Sequence, residues 1–218
     1  MKKYLLFDLD GTLLDTITDL TNSVNHALAA FELPTHSEAA VMRMLGNGIR
    51  SLMTRATPNG EENPAFEEIF AEFRRHYALH KNDHTLPYNG IPEMLSALKA
   101  AGYTIAIVSN KIDSAVKGLW ESLFRDTVTL AIGEMEGVAR KPAPDMVELA
   151  LRTLGAESTE AYFIGDSEVD VVTAKNAGLP CLSVLWGFRE RDELLAVGGD
   201  TFFDSPDELT RYLLKETE

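Results

Sequence analysis

Tyr4-Leu5-Leu6-Phe7-Asp8-Leu9-Asp10-Gly11-Thr12 is the stretch on which the architecture turns. Its first four residues form an apolar run without helical spacing, which predicts a buried parallel strand. Asp8 and Asp10 cut the run, and Gly11 lets the chain turn. From Ile91 onward, short apolar strands alternate with helices. Strands are predicted over 103–108, 128–132, 161–164, 182–185 and 201–203. Helices are predicted over 92–101, 114–124, 144–154, 168–177 and 206–214, with Gly102, Gly155 and Gly178 at their C-terminal ends. Strand–helix alternation with short loops implies an α/β fold, a doubly wound, Rossmann-like parallel sheet covered on both faces.

Residues 15–86 break that rhythm. Apolar residues there recur at helical spacing over 15–30, 37–45, 49–56 and 64–79. Pro34, Gly46-Asn47-Gly48 and Pro58-Asn59-Gly60 separate the pieces. Two domains are therefore expected: a core from 1–14 with 87–218, and an inserted α-helical domain over 15–86. An insert placed directly after an active-site strand is suited to act as a lid, with hinges near Asp15 and over 86–90.

Composition narrows the function. The 218 residues include 20 Lys and Arg against 34 Asp and Glu, a formal net charge of −14. That excess predicts no nucleic-acid partner and no anionic membrane surface. An anionic substrate would need a local cation to reverse the field. A single cysteine, Cys181, excludes a disulfide framework and fits a reducing compartment. No apolar run reaches membrane-span length, and the acids at 8 and 10 interrupt any signal-like start. A cytoplasmic protein, monomer or homodimer, is expected.

Four polar features stand just past predicted strand ends: Asp8 with Asp10, Ser109-Asn110, Lys141, and Asp166 with Asp170. A parallel sheet brings such positions to one edge, where ligands bind. Several carboxylates in one cleft stay ionised only around a cation, and an all-oxygen set suits Mg²⁺. A carboxylate can attack phosphorus, and a second carboxyl two residues on can protonate the leaving oxygen. Ser109, backbone amides and Lys141 bring donors and positive charge to phosphoryl oxygens. The constellation reads as a Mg²⁺-assisted phosphoryl-transfer site for a small phosphorylated metabolite.

The run from Phe7 to Thr16 resembles the first motif of the haloacid dehalogenase-like hydrolases. Ser109, Lys141 and the block from Gly165 to Asp170 resemble the second, third and fourth motifs, in order. The resemblance implies Asp8 as nucleophile and metal ligand, and Asp10 as general acid/base that also offers its carbonyl to the metal. It implies Asp166 and Asp170 at the metal, Ser109 and Asn110 at the phosphate, and Lys141 balancing the nucleophile. The Asp8/Asp10 pair fits phosphoester rather than carbon–halogen cleavage, because a halide needs no proton. The helical insert resembles the family's small cap. Leu45-Gly46-Asn47-Gly48-Ile49, Val108-Ser109-Asn110-Lys111 and Leu185-Trp186-Gly187-Phe188 are similar to phosphoglycolate phosphatases in particular. The resemblance implies a phosphomonoester hydrolase acting on 2-phosphoglycolate through an aspartyl-phosphate. Alternatives are a β-phosphoglucomutase-like phosphomutase, a pyrophosphate or nucleotide monophosphate hydrolase, and a non-enzymatic phospho-Asp signalling or binding module.

Several residues carry two readings. Gly11 and Thr12 let the chain turn beside a phosphate. Gly46, Asn47 and Gly48 form either a plain helix–helix turn or a substrate loop. Arg50 either clamps a substrate carboxylate or is a solvated helix arginine. Asp15 is read as a helix cap. Trp186 either lines the site or packs. His76 and His80 share a helix face, with no third metal ligand evident.

Overall fold

The computed structural model describes residues 2–45 and 48–215. In chain order, β1 (Tyr4–Phe7) and β2 (Leu14–Asp15) precede four helices, α1 (Ile17–Ala30), α2 (Glu38–Met44), α3 (Gly48–Ala56) and α4 (Phe66–His80). Then come β3 (Leu86–Pro87), α5 (Ile91–Ala100), β4 (Thr104–Ile112), α6 (Asp113–Leu119), β5 (Leu130–Glu134) and α7 (Asp145–Leu154). The chain continues through β6 (Ala161–Gly165), α8 (Glu168–Ala177), β7 (Cys181–Val184), α9 (Arg191–Ala196), β8 (Phe202–Phe203) and α10 (Pro206–Lys215). It divides into two compact units, 1–14 with 87–218, and 15–86. The short strands β2 and β3, at the two crossings, pair with each other.

The first unit is built on a six-stranded sheet of order β5-β4-β1-β6-β7-β8. Every pairing in it is parallel, so all strand ends share one edge. The chain steps outward from β1 to β4 and β5, then returns to β6 on the other side of β1. This reversal opens a crevice at the end of β1, the usual ligand position in such sheets. Alternation along the strands fills both faces. Leu5, Phe7, Ile105, Ile107 and Ile164 join one core with residues of α5, α6 and α10. Leu6, Val108 and Phe163 join the other with Met146, Val147 and Ala150 of α7. Each fully buried side chain of this size contributes about 1.5–3 kcal/mol, so the strands read as near-continuous apolar runs.

Besides the short strands β2 and β3, three elements depart from the sequence reading. β4 does not stop at Val108 but runs to Ile112, with its register to β5 shifting between those residues. Ser109, Asn110 and Lys111 therefore lie on a strand extension. The helix expected over 114–124 is α-helical only to Leu119 and winds as a π-turn over Trp120–Phe124. α9 was not anticipated; it begins at a reciprocal capping box between Glu190 and Glu193.

The second unit is helical. α1 packs along α4, burying Leu20, Val24 and Leu28 on one side and Ile69, Phe73 and Tyr77 on the other. Asp19 ties the first turn of α1 to the segment just before β3. It is 1% exposed and accepts hydrogen bonds from the His84 backbone N–H at 3.0 Å, the Thr85 N–H at 2.9 Å and the Thr85 hydroxyl at 2.8 Å. Burial opposes its charge, but these donors prevail and hold its carboxyl below the ordinary 3.8. Asp19→Ala is expected to cost about 2–3 kcal/mol, because it strands buried donors. Urea unfolding at pH 7 checks this. A depressed folded pKa means that the ionisation part of the stabilisation is present above the ordinary value and fades as pH falls below it.

The histidines of this unit form a stack, with His26 on His76 at 4.0 Å and His76 on His80 at 4.3 Å between ring centroids. They line a cavity of about 320 Å³ with Asp19, Asn22 and Asp83. Ring nitrogens of the three meet Glu72, Ser23 and Asp83 respectively. Among the described residues, no helix is long and apolar enough to cross a membrane.

Candidate active site

Asp8 leaves β1 at the crevice, and its N–H donates to Ile164 O at 2.8 Å, tying it to β6. Lys141 arrives on the loop between β5 and α7. That loop is pinned by neighbours: Asn110 Nδ2 donates to the Lys141 carbonyl at 2.8 Å, and Asn176 Nδ2 to the Pro142 carbonyl at 2.8 Å. The Lys141 side chain is 2% exposed. Its Nζ lies 2.9 Å from Asp8 Oδ1 and 2.7 Å from Asp170 Oδ1. Asp170 occupies the first turn of α8, and its other oxygen accepts from Ser167 N at 3.1 Å and Ser167 Oγ at 2.6 Å. Capping and lysine anchoring thus fall to one carboxylate.

Asp166 follows directly on β6. Its Oδ1 accepts the Thr12 hydroxyl at 2.9 Å and its Oδ2 accepts the Phe188 N–H at 2.8 Å. Trp186 Nε1 donates to the Thr12 carbonyl at 2.9 Å while its ring packs on the core, so the two readings of Trp186 merge. Close backbone approach makes this arrangement possible. At Gly187 a Cβ would stand 2.3 Å from Gly11 O and 2.4 Å from Asp166 Cβ. At Gly11, where φ is +86°, it would stand 2.4 Å from Asp166 Oδ2.

The electrostatics are those of an uncompensated cluster. Asp8, Asp166 and Asp170 are all buried and each offers an oxygen within 4.8 Å of the others. Burial raises Asp8 from 3.8 to about 6, with Lys141 opposing the rise and Asp170 and Asp10 adding to it. Burial, then Asp170 and Asp8, raise Asp166 to about 8. Burial works against the Lys141 charge, but Asp170 and Asp8 outweigh it and hold the ammonium above its ordinary range. Three carboxylates against one ammonium leave two negative charges. An all-oxygen set with that deficit fits a hard divalent cation such as Mg²⁺.

A pH dependence follows. With folded values above 3.8, Asp8 and Asp166 bind more protons folded than unfolded, so stability falls as pH rises from about 4 to about 8. Thermal melts in EDTA are expected to show Tm dropping across that window. Excess Mg²⁺ should raise Tm more at pH 8 than at pH 5, and Asp166→Asn should flatten the upper part of the slope. A Tm in EDTA that is level or rising, alike in wild type and variant, contradicts the cluster's electrostatics.

The other expected residues divide. Ser109 is buried at the same edge, its oxygen accepting the Lys111 N–H at 3.3 Å. Asn110 uses its side-chain amide to hold the Lys141 carbonyl. Gly11 and Thr12 build the turn that follows Asp10. The Gly11 N–H donates to Leu14 O and the Thr12 N–H to Leu9 O, while the Thr12 hydroxyl serves Asp166. Their donors shape the turn and the cluster. Arg50 pairs with Glu61 at 3.0 Å and Glu67 at 2.5 Å inside the helical unit. Gly48 opens α3 at φ +82°. Gly46 and Asn47 lie outside the described residues. Thr16, not Asp15, is the N-cap residue of α1; Asp15 stands one residue before it and accepts the Ile17 N–H at 3.3 Å. Cys181 has its thiol pushed up to about 12 by burial, which makes it a poor nucleophile.

One site residue escaped the sequence reading. Lys111 Nζ lies 2.9 and 3.2 Å from the two carboxylate oxygens of Asp10. With a strand expected to end at Val108, Lys111 stood only within a stretch similar to phosphoglycolate phosphatases and carried no role of its own. The extension of β4 carries it to the crevice.

Comparison with known proteins agrees with this geometry. The haloacid dehalogenase-like hydrolase family model matches residues 5–184. A phosphoglycolate phosphatase of Mesorhizobium japonicum is 35% identical over 191 residues, 86% of this chain and 84% of that protein. One of Rhodospirillum rubrum is 34% identical over 212 residues, 94% of this chain and 88% of that protein. Among solved structures, a candidate phosphoglycolate phosphatase of Lactobacillus delbrueckii subsp. bulgaricus superposes with a TM-score of 0.93 at 31% identity, covering 98% of this chain and 99% of the other.

Proposed function

This chain belongs to the haloacid dehalogenase-like hydrolases and is a phosphatase, and from that premise we propose that it hydrolyses 2-phosphoglycolate with Mg²⁺, through an aspartyl-phosphate on Asp8. The reading rests above all on one observation: Asp8 at the switch point, 2.9 Å from a buried Lys141 and grouped with Asp166 and Asp170. The choice of ester rests on the relatives named phosphoglycolate phosphatase. In this reading residues 1–14 and 87–218 are the catalytic core and 15–86 the cap. A non-enzymatic phospho-Asp module has no place in a phosphatase family.

Asp8, the Asp10 carbonyl and Asp166 would hold Mg²⁺, with Asp170 behind them fixing Lys141. When bound, the ion neutralises charge on the phosphoryl oxygens. An Asp8 carboxylate oxygen attacks phosphorus, and the ester oxygen leaves with its bonding pair. Asp10 hands its proton to that oxygen. Ser109 gives its hydroxyl hydrogen to a phosphoryl oxygen, while its oxygen accepts the Lys111 N–H. Lys141 balances the charge shared by Asp8 and the phosphoryl group. Water then attacks phosphorus and gives a proton to Asp10. Inorganic phosphate departs and Asp8 returns as a carboxylate.

Phosphate release from a panel tests the proposal: 2-phosphoglycolate, pyrophosphate, nucleotide monophosphates and β-glucose 1-phosphate, each with Mg²⁺ or EDTA. The expected result is the highest kcat/KM for 2-phosphoglycolate and none in EDTA. A strong preference for another ester overturns the substrate. Full release in EDTA overturns the metal. Conversion of β-glucose 1-phosphate to glucose 6-phosphate would replace the hydrolase with a mutase.

A further inference from the structure

Lys111 contributes no side-chain chemistry to the steps above, yet its charge is carefully placed. It stands near the end of β4, two residues past Ser109, with a side chain only 7% exposed. Placing a long cationic side chain there costs rotamer freedom and solvation. Its ammonium meets both oxygens of Asp10, at 2.9 and 3.2 Å.

The two buried ammoniums divide the site by role. Lys141 holds Asp8 and Asp170, on the side of the attacking group. Lys111 holds Asp10. In an in-line displacement the leaving oxygen lies across phosphorus from the nucleophile. Asp10, which protonates that oxygen, marks its place. An ammonium in contact with the Asp10 carboxylate therefore stands beside the first atoms of the leaving group.

Resting on the phosphatase reading, we propose that Lys111 determines specificity by binding an anionic group carried on the leaving group. In 2-phosphoglycolate that group is the carboxylate, on the carbon next to the ester oxygen. A phosphomonoester already brings negative charge to a crevice lined by Asp8, Asp10, Asp166 and Asp170, in a chain of net charge −14. A further carboxylate is tolerated there only if a cation meets it. An ammonium has three N–H donors and no acceptor, so it can bridge Asp10 and a second carboxylate together. The chemistry of the subsite is that of a short anionic leaving group.

The test compares 2-phosphoglycolate with ethyl phosphate, which keeps the two-carbon leaving group without the charge. kcat and KM are measured in Mg²⁺ for wild type, Lys111→Met and Lys111→Arg. Charge-assisted hydrogen bonds of this kind are worth about 10- to 100-fold in affinity. Wild type should favour 2-phosphoglycolate. Lys111→Met should lower that preference at least tenfold, mostly through KM, and Lys111→Arg should keep part of it. A preference within twofold of wild type in Lys111→Met overturns the inference and leaves the substrate reading standing. A wild type that does not distinguish the two esters overturns both. If Lys111→Met is inactive on both esters, Lys111→Arg decides: a preference lowered by more than about twofold, through KM for 2-phosphoglycolate and with ethyl phosphate still hydrolysed, supports the inference, and a fall of equal size on both esters refutes it.

Discussion

Asp8→Asn is expected to lower kcat for 2-phosphoglycolate by at least about 10⁴-fold, because it removes the attacking oxygen and not merely a binding contact. Asparagine has nearly the same shape, so the turn after β1 and the N–H bond to Ile164 O should persist. The variant should melt no lower than wild type, and in EDTA at neutral pH somewhat higher. The reason is that Asp8 is raised to about 6 by burial and by its acidic neighbours, so removing its charge relieves repulsion. Steady-state assays paired with thermal melts check both halves. Turnover within tenfold of wild type, in protein freed of wild-type contamination, would show that another group attacks.

Lys141→Met is expected to damage the fold as well as the chemistry. It leaves Asp8 and Asp170 without the ammonium that meets them at 2.9 and 2.7 Å, in a pocket where the lysine is 2% exposed. Breaking a buried ion pair by deleting one partner costs about 3–5 kcal/mol. The methionine fills much of the volume against Phe163, over whose ring the ammonium sits at 5.3 Å, so the loss is electrostatic and not a cavity effect. Urea unfolding in EDTA at pH 8 should show that cost. It should shrink as pH falls below about 6, where Asp8 takes up a proton. Activity should fall by about 10³-fold, the scale of losing a preorganised charge at the transition state. A variant as stable as wild type at pH 8 would mean that the three carboxylates do not depend on Lys141.

Much of this is legible in the sequence. A short apolar run ending in Asp8 announces a buried strand and its active end. Order along the chain, with each polar feature just past a strand, places Asp8, Ser109, Lys141 and Asp166 at one edge once the sheet is parallel. Helix ends were readable where glycine stops them, as at Gly155 and Gly178, both in the left-handed region. What escaped is what depends on packing between distant segments. Nothing local says that Thr12 turns its hydroxyl to Asp166, 154 residues away, or that Arg50 finds Glu61 and Glu67. His76 and His80 announce a shared helix face, but the third ring comes from α1. Gly187 looks like any loop glycine until its approach to Asp166 is seen. Lys111 was hidden by a strand that continues past its apolar stretch, because pairing with β5 resumes only at Ile112 and Glu134.

The most direct measurement is covalent. Wild type is mixed with 2-phosphoglycolate labelled on phosphorus in the presence of Mg²⁺, quenched in acid from milliseconds onward, and its peptides are mapped. The account expects acid-stable label on the peptide containing Asp8, absent in Asp8→Asn and discharged by hydroxylamine as an acyl phosphate should be. Phosphate release with no label on that peptide at any quench time, or with label on another residue, would contradict it.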